Sequence, residues 1–210
     1  MIPVDVLEET KEQYVQNIVA VWQSATPEQM FRGRAWYRTA HDLAKTIAGG
    51  NARTGAGVIA ALSANKSWSE NCRLARVACG TTGLASGHFP DALRKATTIL
   101  AGTDPQDVLP MERKTGHFFR CIADPDDPEA IVVDRHAHDV AVGQTYGNRE
   151  RGLSAARRYE LPARCYREAA ERLGELPSTV QAVTWVVHTD RVAGTGTRAP
   201  RPSEVMALAA

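Results

Sequence analysis

The chain has 210 residues, of which 43% are hydrophobic and 23% charged, with a formal net charge of +1. That is enough for one domain or two small lobes with a real core, and the balance excludes a disordered or strongly basic chain. No apolar run is long enough to span a bilayer, and Met1-Ile2-Pro3-Val4-Asp5 lacks the basic start and apolar core of a signal peptide. The expectation is an intracellular protein with no membrane partner.

The first predicted helix covers residues 7 to 24, where Leu7, Tyr14, Ile18, Val21 and Trp22 recur at helical spacing. Thr26-Pro27-Glu28 opens the next: Thr caps and Pro takes the first turn. That helix carries Met30, Phe31, Trp36, Tyr37, Leu43 and Ile47 to a stop at Gly49-Gly50. A helix from about Thr54 to Ser63 is almost wholly apolar and is expected to be the buried central one. Ser67 caps a helix over Trp68 to Ala78, Gly80 to Gly87 reads as a loop, and Phe89 to Leu100 is helical up to Gly102-Thr103-Asp104-Pro105.

The stretch from Leu109 to Asp139 then changes character. A basic and aromatic helix, Arg113 to Ile122, leads into a Pro/Asp turn at Asp124 to Glu129 and a short apolar run, Ile131-Val132-Val133. Asp134 stands where a second helix begins, so it caps that helix and faces its positive end. Gly143 to Arg151 reads as a polar loop, Leu161 to Leu173 as a helix closed by Gly174, and Pro177 to His188 as the last helix. From Thr189 onward Gly, Thr, Arg and Pro dominate, and residues 191–210 are expected to form a flexible tail, mobile on its own, whose Arg191, Arg198 and Arg201 would contact nucleic-acid phosphates if the tail is used. Strand signals are nearly absent, so the fold class is all-α, with a helical domain over residues 1–190.

Cys72, Cys79, Cys121 and Cys165 form no CxxC pair and read as buried free thiols. The run Asp134-Arg135-His136-Ala137-His138-Asp139 resembles the HxHxDH of metallo-β-lactamase-like hydrolases. Val140 replaces its second His, however, and the αβ context is missing. On a helix, His136 and His138 point to different faces. The reading therefore assigns no metal and no other cofactor. Gly49-Gly50 and Gly194-Thr195-Gly196 lack the Gly-Lys-Ser/Thr ending of a phosphate loop, and no GxSxG elbow is present.

Three motifs fall in a telling order: Val58-Ile59-Ala60-Ala61-Leu62-Ser63-Ala64-Asn65 with Asn71 beyond it, Leu109-Pro110 with Arg113-Lys114-Thr115, and Val133-Asp134-Arg135-His136-Ala137. Together, over roughly residues 50 to 145, they resemble the LLSAQ…N, LPGVGRKTA and VDTHVxR motifs of the helix-hairpin-helix DNA glycosylase superfamily. The resemblance implies a two-lobed, all-α glycosylase fold with a central cleft, and DNA with a damaged or modified base as partner. It implies that Asp134 supports departure of the base and that Lys114 attacks the sugar, as in members with lyase activity. It places Asn65, Lys66, Trp68, Asn71, Arg113 and His136 along the substrate. The chain is also similar to small phage proteins from viruses of actinobacteria, which implies the host cytoplasm as its location and phage thymine hypermodification as one setting. Two departures stand out. Met111-Glu112 replaces GVG, whose glycines turn tightly and offer N–H groups to a phosphate, and Glu112 repels one. Nothing after Cys165 supplies the four-Cys iron–sulfur loop of some members.

Each candidate also has a plainer reading. Asp134 is a helix cap or a catalytic carboxylate. Lys114 is a solvated lysine, a phosphate contact or a Schiff-base nucleophile, the last requiring burial or nearby positive charge. Asn65, Lys66 and Asn71 cap and turn the chain, or line a cleft. Trp36, Tyr37, Trp68 and Trp185 pack in the core, or stack on a flipped base. Arg149, Arg151, Arg157 and Arg158, near Tyr159, form a solvated face or a phosphate-binding rim. For the whole protein the alternatives are a DNA glycosylase-like enzyme and a module that keeps the fold for binding alone.

Overall fold

The helix boundaries follow local capping chemistry. Thr26 and Gln29 cap reciprocally: Thr26 Oγ1 accepts from the Gln29 N–H at 3.2 Å, and Gln29 Oε1 accepts from the Thr26 N–H at 3.0 Å. Asn51 accepts from the Thr54 N–H at 3.0 Å, and Ser67 from the Glu70 N–H at 3.3 Å. The computed structural model describes residues 6–80 and 88–193, and the regular elements in them are all α-helices. They are α1 (Glu8–Gln23), α2 (Pro27–Ile47), α3 (Ala52–Ala61), α4 (Trp68–Gly80), α5 (Pro90–Leu100), α6 (Pro105–Val108), α7 (Lys114–Ala123), α8 (Arg135–Val142), α9 (Asn148–Arg151), α10 (Ala156–Leu173) and α11 (Pro177–Ala193). Among these residues no helix is long and apolar enough to cross a membrane.

The chain divides into two compact units. The first holds the described residues up to Trp36 and those from Asp126 onward; the second holds Tyr37–Pro125. In the first unit, α1, α8, α10 and α11 pack on one another. Their shared core includes Tyr14, Val15 and Ile18 of α1, Ala137 and Val140 of α8, Tyr166 and Ala170 of α10, and Val180 of α11. The buried run 131–133 does not pair as a strand. The Tyr159 hydroxyl donates to the Ile131 carbonyl at 2.7 Å and accepts from the Val133 N–H at 3.0 Å, so a side chain satisfies the backbone that a neighbouring strand would otherwise serve.

In the second unit, α3 is buried from Gly55 to Ala61 and packs against α4, α5, α6 and α7. Small residues permit this closeness: a Cβ on Gly55 would lie 2.0 Å from the Ala44 carbonyl oxygen. Arg53 and Asp104 pair through two hydrogen bonds of 2.8 Å, and Asp104 also caps α6 by accepting from the Gln106 N–H at 2.8 Å.

Several elements differ from the sequence reading, most by a residue or two at their ends. Helix α3 starts at Ala52, because Asn51 caps it. Helix α10 starts at Ala156 rather than Leu161 and runs through Pro162. An interior proline forfeits a hydrogen bond and is normally read as a stop; here Tyr159 and Ala163, on either side of the buried Pro162, belong to the first unit's core. The loop before α10 contains the short α9. Helix α11 continues past His188 to Ala193, with Thr189 donating its hydroxyl to the Trp185 carbonyl at 2.7 Å and Asp190 accepting from Arg32 at 2.9 and 3.1 Å. Residues 191–193 are therefore helical, and the rest of the expected tail, like 81–87 of the expected loop, lies outside the described residues.

All four cysteines are free; Cys72, Cys121 and Cys165 are buried and Cys79 is half-buried. Burial pushes the Cys72 thiol up to about 12 and the Cys79 and Cys165 thiols up to about 11, which keeps them protonated and unreactive at neutral pH.

Packing around α7 yields a stability prediction. A Cβ on Gly116 would lie 2.2 Å from Met111 Cα, a backbone atom, while one on Gly80 meets nothing within 4 Å. Gly116→Ala is expected to cost about 1–3 kcal/mol through forced displacement of the 109–113 turn. Gly80→Ala is expected to leave the melting temperature unchanged or slightly raised. Thermal denaturation followed by circular dichroism checks both.

Candidate active site

Asp134 has an extended backbone (φ −99°, ψ −172°) and α8 begins at the next residue. Its Oδ1 accepts from the N–H groups of His136 and Ala137, each at 2.9 Å, which satisfies two donors that every helix start leaves open. Its Oδ2 accepts from the Trp185 indole N–H at 3.1 Å. Among the described residues no lysine or arginine forms an ion pair with it. The carboxylate is thus oriented by neutral donors and by the positive end of α8.

Aromatic and imidazole rings gather beside it. The Trp36 and Trp185 rings lie 5.3 Å apart, centre to centre. His136 meets Trp185 edge-on at 6.1 Å and lies 5.4 Å from His188. Arg135 Nε donates to His136 Nε2 at 3.1 Å, which fixes that nitrogen as the acceptor and puts the proton of the neutral ring on Nδ1. Burial lowers the pKa of both His136 and His188, and the negative charge of Asp134 opposes the shift in each.

The next turn of α8 faces the interior. The carboxylate of buried Asp139 accepts from Arg151 Nε at 2.7 Å and Nη2 at 2.6 Å, and Asn148 accepts from Arg151 Nη1 at 3.0 Å. His138 Nδ1 lies 3.3 Å from Asp139 Oδ1, and its ring meets Tyr146 edge-on at 6.2 Å. His136 and His138 therefore occupy different surroundings, as the helical spacing predicts. Arg151 corrects one option: at 6% exposure it is part of a buried ion pair and contributes to no surface rim. Arg149 and Arg157 are exposed and Arg158 is half-buried.

The remaining candidates belong to the second unit. Lys114 is the first residue of α7 and Arg113 its N-cap; both are exposed. The turn before them places the Arg113 N–H 3.2 Å from the Pro110 carbonyl, with Leu109 buried and Glu112 exposed. Among the described residues Asn65 is the only non-glycine with positive φ (57°), so the Leu109–Arg113 turn closes with ordinary backbone and does not need the missing glycines. Asn65 is itself a turn residue, in the left-handed conformation that asparagine tolerates. Lys66 is half-buried with its Nζ 3.8 Å from Glu70. Trp68 is half-buried and meets Phe118 edge-on at 6.4 Å. Asn71 is buried, and its side-chain oxygen has no hydrogen-bond partner among the described residues.

Asp134, His136, Trp36 and Trp185 thus share one unit, while Lys114, Arg113, Asn65, Lys66, Trp68, Asn71 and Tyr37 belong to the other. The sequence reading missed His188 and the bond from Trp185 to Asp134. The one signal for them was their i, i+3 spacing on the last helix, which places both on one face.

A model described as "Family of unknown function (DUF7178)" matches residues 1–192. The chain belongs to that family. No curated protein and no solved structure matches it. The DUF7178 match takes in both units, and with them Asp134, His188 and Lys114.

Two predictions follow from this geometry. Asp134→Ala is expected to cost about 0.5–2 kcal/mol by removing the cap. Asp134→Asn keeps the cap but sets its NH2 against the Trp185 indole N–H, so it is expected to cost less than Asp134→Ala without being neutral; urea denaturation measures both. The second concerns pH. Burial holds the imidazoles of His136, His138 and His188 below the ordinary histidine value of 6.5. The unfolded chain takes up those protons near that value, and the folded chain does not. Stability is therefore full above about pH 6.5 and falls as pH drops through the lower folded values. Urea midpoints on either side of that value check the direction, and a midpoint that rises on acidification contradicts it.

Proposed function

We propose that the protein is a DNA glycosylase-like enzyme that releases a damaged or modified base from DNA. The observation that carries the reading is the Asp134 carboxylate, held by three neutral N–H donors at the start of α8 and, among the described residues, paired with no lysine or arginine. Breaking an N-glycosidic bond builds positive charge on the sugar. A pre-oriented negative charge stabilises that charge without reorganising, and contributions of this kind amount to about 10²–10³ in rate. The Trp36 and Trp185 rings beside it offer a surface for a base rotated out of the stack.

The order of elements adds support. A short helix, a tight turn and a second helix (α6, Leu109–Arg113, α7) follow one another where the resemblance expects a hairpin. Lys114 at the head of α7 is exposed, without the burial that activates a nucleophilic amine. The reading therefore gives Lys114 a phosphate contact and makes base release hydrolytic, with no covalent intermediate. The partner is DNA, and the place of action is the cytoplasm of the host cell where the protein is phage-encoded.

A second reading, a DNA-binding or protein-binding module without chemistry, is favoured by one observation. The hydrogen bonds of Asp134 to His136 and Ala137 are also those of a purely structural cap.

A panel of duplexes carrying uracil, oxidised, alkylated or hydroxymethylated bases separates the two. The enzyme reading expects release of at least one base and a drop of about 10²–10³ in rate for Asp134→Asn, with the variant still folded by its melting curve. It expects Lys114→Gln to weaken binding and no borohydride-trapped adduct to form. Binding of DNA with no base released from any duplex supports the module instead. An adduct that disappears in Lys114→Gln restores the covalent role of that lysine.

A further inference from the structure

Hydrolytic base release needs a group that accepts a proton from the attacking water, and Asp134 is poorly placed to be that group. Its oxygens already accept three hydrogen bonds, out of roughly four that a carboxylate can take. It serves better as a fixed charge. His136 is also unsuitable: its Nε2 accepts from Arg135, so the nitrogen left over carries a hydrogen and can only donate.

We propose that His188 is the general base of this site, taking the proton of the water that attacks the sugar. This rests on the glycosylase-like reading above. His188 lies 5.4 Å from His136 and three residues beyond Trp185, which holds Asp134. It is half-buried, and among the described residues no hydrogen bond falls on its ring. A neutral imidazole always has one unprotonated nitrogen, so an acceptor is available there. In the step, the water oxygen bonds to the sugar C1′ and the N-glycosidic bond breaks, its electron pair leaving with the base. The water proton passes to His188. The imidazolium so formed lies in the field of Asp134 and returns its proton to the departing base or to solvent. The charged and titratable groups that face His188 are Asp134, His136 and Asp139 on α8, Arg151 near the end of α9, and Arg191 on its own helix. The two carboxylates favour the protonated ring, burial and the two arginines oppose it, and burial is the largest influence. The ring is therefore neutral and competent at pH 7.

The test is single-turnover base release, on the duplex that the wild type cleaves, from about pH 5 to about pH 9. The wild type is expected to lose rate on the acid side as His188 takes up a proton. His188→Gln is expected to fall by about 10²-fold at neutral pH and to lose that acid limb. His188→Ala is expected to recover rate when imidazole is added, whereas His136→Gln keeps the acid limb. Undiminished release by His188→Gln, or an acid limb that survives in it, overturns the assignment; if Asp134→Asn is still inactive, the reading of Asp134 stands. A slow His188→Ala that imidazole does not restore means a structural role and also overturns it. Melting curves establish that the variants fold; where one does not, a wild-type rate that is flat below neutral pH overturns the assignment by itself. A wild type that releases no base from any duplex overturns the reading and the assignment together.

Discussion

The hydrogen bonding of Asp134 ties together the elements from which the candidate site is built. One carboxylate ends an extended segment, starts α8 and receives the indole of α11. Each bond meets a separate requirement. The N–H groups of His136 and Ala137 have no partner within the helix, and a short acidic side chain at the N-cap satisfies both at once. The indole N–H of a half-buried tryptophan likewise needs an acceptor, and Oδ2 supplies it. The preceding segment is fixed by Tyr159, whose hydroxyl spans Ile131 and Val133, and the helix that follows by Tyr166, whose hydroxyl donates to the Ala137 carbonyl at 3.2 Å. The carboxylate is therefore positioned from both sides by buried tyrosines of α10.

The buried pair one turn later sets the rotation of α8. Asp139 and Arg151 are both nearly inaccessible and share two short hydrogen bonds. Removing one partner of such a pair typically costs about 3–5 kcal/mol, because the other charge is left buried and alone. A rotation of α8 that carried Asp139 away from Arg151 would incur that cost. It would also turn His136 away from Trp185 and His188. The ion pair contributes little net stability over a well-packed apolar substitute, but it makes the observed orientation of the helix the one that satisfies both charges.

Features governed by neighbouring residues were legible in the sequence. Thr26, Ser67 and Asp134 each cap with their own side chain, and the capping signal lies within three residues. The buried central helix was legible from its unbroken apolar composition, which α3 bears out. Features that depend on distant partners were not. Trp185 reaches Asp134 across 51 positions, and its role is invisible to periodicity, which says only that a tryptophan at helical spacing packs somewhere. Arg151 read as one of a run of surface arginines because its partner, 12 residues earlier, belonged to a different motif. Pro162 concealed the first turns of α10 because a local rule for proline was outweighed by the packing of Tyr159 and Ala163 on either side of it.

The choice of donors around Asp134 has a consequence for chemistry. A carboxylate paired with arginine, as Asp139 is, has its field largely cancelled a few ångströms away. Asp134 is instead held by two amides and an indole, which orient it while leaving its charge formally unbalanced. The same helix thus carries two aspartates put to opposite uses, one neutralised inside the core and one kept as a negative charge at its start. Maintaining the second is unfavourable unless donors and the helix end compensate it, and both are present. On the proposed reading, that uncancelled field is what a cationic sugar meets as its base departs. On the same reading, the neutral imidazole of His188 supplies the proton acceptance for which a carboxylate already taking three hydrogen bonds is poorly placed.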